Sequence, residues 1–154
     1  MLETPHVAVG AAIASKIPNP LIAVPLAFAS HFVLDAVPHW NPHIVTETKK
    51  YGMPTKKSVV VIVIDSTLAL AFGSFVAYQA LPNTGHAITI LAASLASVLP
   101  DLAESPYFFL KRKKINLPKS WVDFHIFLQT HSDTIWGLLT QLAIIGAAIL
   151  WMRN

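Results

Sequence analysis

Long apolar stretches separated by short polar connections run along most of this chain. Four of them are long enough to cross a bilayer, whose hydrocarbon core needs roughly 20 residues of helix. They lie at about 19–37, 58–81, 86–110 and 134–152. A fifth, 6–16, is short and is followed by Lys16 and the turn-forming Pro18-Asn19-Pro20, so it is either a short span or half of a re-entrant hairpin with the second stretch. The pattern predicts an all-α integral membrane bundle of four or five transmembrane or re-entrant helices, with one domain over 1–154.

Composition supports a membrane location. The chain is 54% hydrophobic and only 12% charged, whereas soluble domains average roughly 45–50% apolar and about 25% charged residues. Glu3 and the lack of a basic start argue against a cleaved secretory signal. With no cysteine in the sequence, any bound metal must be held by histidine, carboxylate or carbonyl groups.

The basic residues predict the orientation. They cluster in two connections: Lys49, Lys50, Lys56 and Lys57 in the first, and Lys111, Arg112, Lys113, Lys114 and Lys119 in the second. The connection at 82–85 carries no charge. Because cytoplasmic loops are enriched in lysine and arginine, the two basic connections are expected on the cytoplasmic side of a prokaryotic inner membrane. The net charge of +3 comes from these connections and not from one basic face, so nucleic acid is not an expected partner, whereas membrane lipids are.

The first group of candidate functional residues closes the second apolar stretch. The i, i+4 spacing of His31 and Asp35 places both on one helix face, where they are candidate metal ligands. Pro38 ends the helix and leaves His39 and His43 on the irregular segment beyond it, with His39 a further candidate ligand. The alternative is a simple hydrogen-bonded pair of His31 and Asp35.

The second group is acidic. Asp101 and Glu104 share a helix face at i, i+3, and Pro100 before them is expected to kink or break the helix. Two carboxylates this close repel each other unless a cation or a proton lies between them. The alternative is that they begin a new helix, where the macrodipole favours acidic residues.

The third group leads into the last apolar stretch and contains His125 and His131, with aspartates nearby, as in many metal sites. Ser132 or Asp133 could instead simply cap the final helix.

All three groups are expected at the same face of the membrane, and His6 begins on that face and is a further candidate ligand. The predicted metal ligands are His6, His31, Asp35, His39, Asp101 and His131. Glu104 or His125 is the candidate general base or additional ligand. Asp65 is expected to assist from outside the ligand set, and His86 to lie at the far face. Carboxylate and imidazole donors suit zinc, manganese, iron or magnesium.

Four short segments resemble motifs of the YdjM-like proteins, a family of membrane-bound metal-dependent hydrolases. They are Thr4-Pro5-His6-Val7-Ala8-Val9-Gly10, Ser30-His31-Phe32-Val33-Leu34-Asp35, Ser97-Val98-Leu99-Pro100-Asp101 and Thr130-His131-Ser132. Here their order is permuted, and two histidines of the family pattern are replaced. The resemblance implies an α-helical membrane enzyme that uses a divalent metal to hydrolyse an ester or phosphoester of a lipid-like substrate.

Two other interpretations remain open at this point. The same polar residues are compatible with a small cation or proton transporter that uses Asp65 as a step, although few polar residues lead to the opposite face. They are also compatible with a non-catalytic scaffold that packs or oligomerises through small residues such as Gly10 and Ala96.

Overall fold

The computed structural model describes residues 1–109 and 118–154, and every regular element in these ranges is a helix. The helices are α1 (Glu3–Lys16), α2 (Pro20–Asp35), α3 (Ile44–Tyr51), α4 (Lys56–Gln79), α5 (Thr84–Phe109), α6 (Lys119–Leu128) and α7 (Thr134–Arg153). The predicted all-α bundle is confirmed. The basic cluster Lys111, Arg112, Lys113 and Lys114 lies outside the described residues.

Three helices, α4, α5 and α7, are long and apolar enough to cross a membrane by length and composition. They correspond to the predicted stretches 58–81, 86–110 and 134–152. Their outer surfaces remain apolar, with Leu70 71% and Leu142 63% exposed. These surfaces fit a hydrocarbon environment, so the chain is described below as a membrane protein.

The first two helices form an antiparallel hairpin that is shorter than a full span. With 14 and 16 residues, α1 and α2 extend about 21 and 24 Å, against a hydrocarbon core of about 30 Å. The hairpin turns at Asn19, whose side chain accepts a hydrogen bond from Leu21 N–H and caps α2. The start of α1 therefore lies beside the end of α2.

Helix α1 lies at the centre of the bundle and packs against α2, α4, α5 and α7. Small residues allow this close packing. A Cβ atom added at Gly10 would lie 2.8 Å from Ser97 Cβ and 2.9 Å from the Ala93 carbonyl oxygen of α5. Helices without bulky side chains at their contact approach closely in membranes, which brings the residues at the start of α1 next to those of α5.

Helix α5 passes through Pro100 without ending. A proline inside a helix removes one backbone hydrogen bond, but here the flanking turns continue to Phe109. Asp101 and Glu104 consequently lie inside α5, and the alternative in which they begin a new helix is wrong. Asp101 is about 12 Å along α5 from its Phe109 end.

Short helices and one bridge close the end of the bundle at which Lys49, Lys50, Lys56 and Lys57 are exposed, called the lysine end below. At this end Glu47 of α3 accepts hydrogen bonds from Thr55 N–H and Ser58 Oγ at the start of α4. Burial opposes its charge, but these hydrogen bonds hold the pKa of Glu47 below its usual value. The predicted cap at Asp133 is present, since its carboxylate accepts from the first N–H groups of α7.

Candidate metal centre

Asp35 is the centre of a buried polar cluster. It is the last residue of α2, where the helix macrodipole disfavours a negative charge, and its side chain is fully buried. The Met1 amino group contacts its Oδ1 atom, and the Nε2 atoms of His6 and His125 lie 3.3 and 2.9 Å from its two oxygens. Such a costly position requires compensating positive charge.

Three imidazoles from three different helices surround this carboxylate. His6 of α1 stacks on His31 of α2 with ring centroids 4.1 Å apart, and the ring centroid of His125 of α6 lies 5.0 Å from that of His31. Each of the three has its Nε2 atom within 3.4 Å of an Asp35 oxygen. His6 is fully buried, and apart from the 3.3 Å contact of its Nε2 atom with Asp35 neither ring nitrogen has a hydrogen-bond partner. Its buried Nδ1 atom is therefore an unsatisfied polar group.

The outer nitrogens of His31 and His125 determine which way their lone pairs point. His31 Nδ1 lies 2.8 Å from the Ser97 carbonyl oxygen, and His125 Nδ1 lies 3.0 Å from Glu104 Oε1. Both partners accept, so both Nδ1 atoms carry the proton in the neutral imidazole. The two Nε2 atoms then direct lone pairs at each other across 3.0 Å. A proton or a metal ion between them removes this repulsion.

The distances between these atoms match those around a metal ion. Ligand atoms about 2.1 Å from one ion are roughly 3.0 Å apart at right angles and about 3.4 Å apart at the tetrahedral angle. The separations of His31 Nε2 from His125 Nε2 and from Asp35 Oδ2 are 3.0 and 3.4 Å. Two triads, His6-His31-Asp101 and His31-Asp35-His125, have the donor types and spacing to hold a metal ion.

Asp101 and Glu104 border the cluster on its open side. Asp101 is the more accessible, with 22% of its side chain exposed, and its oxygens lie 4.0 and 3.8 Å from the Nε2 atoms of His31 and His125. Glu104 is buried and fixes His125 through the Nδ1 hydrogen bond. Both carboxylates line a cavity of about 150 Å³, so a molecule in the cavity contacts the cluster at Asp101 and Glu104.

Three carboxylates, those of Asp35, Asp101 and Glu104, belong to the cluster, and the Met1 amino group forms an ion pair with one of them, Asp35. Among the described side chains, no lysine or arginine forms an ion pair with Asp35, Asp101 or Glu104. Burial alone would lower the pKa of His125, but its hydrogen bonds with Asp35 and Glu104 raise that pKa to about 10. His125 thus has an environment that stabilises positive charge, whether that charge is a proton or a bound cation.

The structure brings together His6, His31, Asp35 and Asp101 of the predicted ligands, but not His39 and His131. Those two are paired with each other in an isolated β-bridge, with ring centroids 6.0 Å apart. His39 is buried and donates from Nδ1 to the Val37 carbonyl, whereas the His131 side chain is exposed. Their backbones do support the site, because this strand-like contact ties the segment after α2 to the segment after α6.

The other predicted histidines are peripheral. His43 is exposed and lines the cavity. His86 lies at the opposite end of the bundle from the cluster, where its Nε2 lies 3.0 Å from the Ala14 carbonyl oxygen.

Glu3 was not among the predicted site residues, although it lines the cavity and its Oε2 atom is buried without a hydrogen-bond partner. Its i, i+3 spacing from His6 was the signal that could have identified it.

Asp65, expected to assist the ligands, instead caps α1 from α4. Its carboxylate accepts from Glu3 N–H, Thr4 N–H and Thr4 Oγ1. The N-cap residue of α1, Leu2, has no side chain able to do this, so Asp65 fixes the start of the helix that carries Glu3 and His6.

Comparisons with protein-family models, with curated proteins and with solved structures find no match to this chain.

Proposed function

We propose that this protein is a membrane-embedded, metal-dependent hydrolase that acts on an ester or phosphoester of a lipid-like substrate. The observation that carries the proposal is the convergence of His6, His31 and His125 on the buried carboxylate of Asp35, beside an accessible Asp101. Three segments with a resemblance to the YdjM-like hydrolases supply residues of this cluster: 4–10, 30–35 and 97–101. The basic connections support a site that faces the cytoplasm.

The donor set favours a borderline or hard divalent ion. Imidazole and carboxylate ligands without thiolate suit zinc, manganese or iron, and magnesium is less well matched to a site with three imidazoles. His31, His125 and Asp35 would hold the ion, with His6 or Asp101 completing the set. Such an ion would supply polarisation of the ester or phosphoryl oxygen and a more acidic water.

The remaining groups have roles that follow from their positions. Glu104 orients His125, as a carboxylate behind a ligating histidine does in many metal sites. Asp101 is the candidate base, because it is the cluster carboxylate that is both near the imidazoles and exposed to the cavity. In hydrolysis the water oxygen bonds to carbon or phosphorus, the bond to the leaving oxygen breaks, and the proton taken from water is returned to that oxygen.

Metal content tests this proposal most directly. Elemental analysis of the detergent-purified protein should find near-stoichiometric zinc, manganese or iron, and Asp35→Asn should abolish it. Asp101→Asn should weaken metal binding and remove hydrolysis of phospholipid and lysophospholipid substrates in mixed micelles. Asp123→Asn is the matched control, since Asp123 is exposed on α6 two residues before His125 and forms none of the cluster's ion pairs in the described part of the chain.

Two results would refute the proposal. A wild-type protein that stays metal-free after reconstitution with each of these ions has no metal centre. Bound metal that survives Asp35→Asn but is lost in Asp123→Asn would place the ion elsewhere.

A further inference from the structure

A second depression opens on the membrane-facing surface between α4 and α5, with a volume of about 260 Å³. It is called the α4–α5 groove below. Its lining is almost entirely apolar and includes Val7, Ala69, Gly73, Leu91, Val98 and Leu102. Because α4 and α5 are both long apolar helices, the medium that faces this groove is hydrocarbon and not water.

The groove and the cavity beside the metal centre meet at one residue. Glu3 lines both, and it is the only residue that does so in the described part of the chain. Its carboxyl group therefore lies at the junction between the cavity that Asp101 and Glu104 line and the apolar groove, and its Oε2 atom has no hydrogen-bond partner. A carboxyl group in this position can form a hydrogen bond with a polar group of a ligand that extends in both directions.

The sizes of the two spaces are complementary. The cavity alone, at about 150 Å³, is small compared with the roughly 300–1,000 Å³ of typical ligand pockets. The groove extends from Leu102 to Leu91 along α5, a distance of about 16 Å. This is close to half of the roughly 30 Å hydrocarbon core, the depth of one leaflet. A head group in the cavity and one acyl chain in the groove together account for both spaces.

We infer that the α4–α5 groove binds one acyl chain of a bilayer lipid, which enters sideways from the membrane and places its head-group linkage past Glu3 beside the metal centre. The inference rests on the proposed hydrolase function for the role of the lipid, but not for its binding. Small residues form the floor: Ala69 and Gly73 on α4 and Ser94 on α5. Packing favours glycine at position 73, since a Cβ atom there would lie 3.1 Å from Val7 Cγ1.

Photocrosslinking tests the inference without any catalytic step. The protein is reconstituted in phosphatidylethanolamine–phosphatidylglycerol vesicles that contain a phospholipid with a diazirine in one acyl chain, and adducts are mapped by mass spectrometry. Adducts should concentrate on Leu70, Leu91 and Leu95 of the groove, at least fivefold above Leu68 and Leu142, which are similarly exposed but lie outside it. Adducts spread in proportion to exposure would overturn the inference.

Two tryptophan variants provide the matched comparison. Ser74 is exposed and lines the groove, whereas Ala143 is exposed on α7 and lies outside the groove. Ser74→Trp should fill the groove and reduce the groove adducts to the background level, while Ala143→Trp should leave them unchanged. Equal adduct patterns in the two variants would also overturn the inference. If Ser74→Trp does not fold, the adduct map of the wild-type protein still tests whether the groove binds an acyl chain.

The results separate this inference from the proposed function. Groove adducts in a protein that binds no metal would leave the acyl-chain site standing and reject the hydrolase. A metal-dependent lipid hydrolase with evenly spread adducts would retain the function and reject the groove.

Discussion

Replacing Glu104 should weaken metal binding without dismantling the bundle. The side chain is 7% exposed and its carboxylate fixes His125 through one hydrogen bond of 3.0 Å. Loss of such a partner behind a ligating histidine costs about 10–100-fold in metal affinity. Glutamine keeps an oxygen that accepts from Nδ1–H but loses the charge, and charge-assisted hydrogen bonds are roughly twice as strong as neutral ones. We therefore expect Glu104→Gln to weaken zinc affinity about tenfold, or by about 1.4 kcal/mol of binding free energy. Glu104→Ala should weaken zinc affinity about 100-fold.

Competition with a fluorescent zinc chelator in detergent micelles measures these affinities. Glu47→Gln is the matched control, because Glu47 also accepts hydrogen bonds at the lysine end but lies outside the cluster. Thermal unfolding of the metal-free variants separates a positioning role from a general loss of structure. The reasoning fails if both Glu104 variants bind zinc as tightly as the wild type, or if Glu47→Gln weakens binding equally.

Three further predictions concern the framework around the site, and thermal unfolding in detergent checks each. Gly10→Ala should lower the free energy of unfolding by about 1–3 kcal/mol, because the new methyl group meets Ser97. Gly146→Ala is the control and should have no such effect, because a Cβ there would have nothing within 4 Å. Equal effects of the two substitutions would exclude close packing as the cause. Asp65→Ala should lower the free energy of unfolding by about 0.5–2 kcal/mol, because α1 loses its cap. An unchanged stability would contradict the capping role of Asp65. Because the folded-state pKa of Glu47 is lowered, its contribution is present above the unfolded pKa of about 4.3 and is lost as the pH falls through the folded value. Glu47→Gln should therefore flatten the loss of stability below pH 5, and a variant as acid-sensitive as the wild type would refute this.

The long apolar helices could be predicted from the sequence because hydropathy is a local property. The stretches 58–81 and 134–152 end within two residues of α4 and α7. The pairing of His31 with Asp35 was equally predictable, since i, i+4 spacing fixes two residues on one helix face. Neither required knowledge of the tertiary structure.

The completion of the site depends on how separate helices meet, and there the sequence was insufficient. His131 has the same residue type and flanking aspartate as a metal ligand, yet the backbone bridge to His39 leaves its side chain exposed. Asp65 looked like a polar residue within a span, but its partner is the start of α1, 61 and 62 residues away along the chain. Long-range pairings of this kind leave no periodic signal.

The enclosed position of α1 has a consequence for how the protein is made. This helix is near the beginning of the chain, but the surfaces that surround it belong to α2, α4, α5 and α7, the last of which ends at Arg153. During synthesis α1 therefore lacks most of its packing partners until the later helices have entered the bilayer. His6 can meet His31 and Asp35 once α2 is present, but Asp101 and His125 join them only with α5 and α6. The complete cluster is therefore a marker of an assembled bundle.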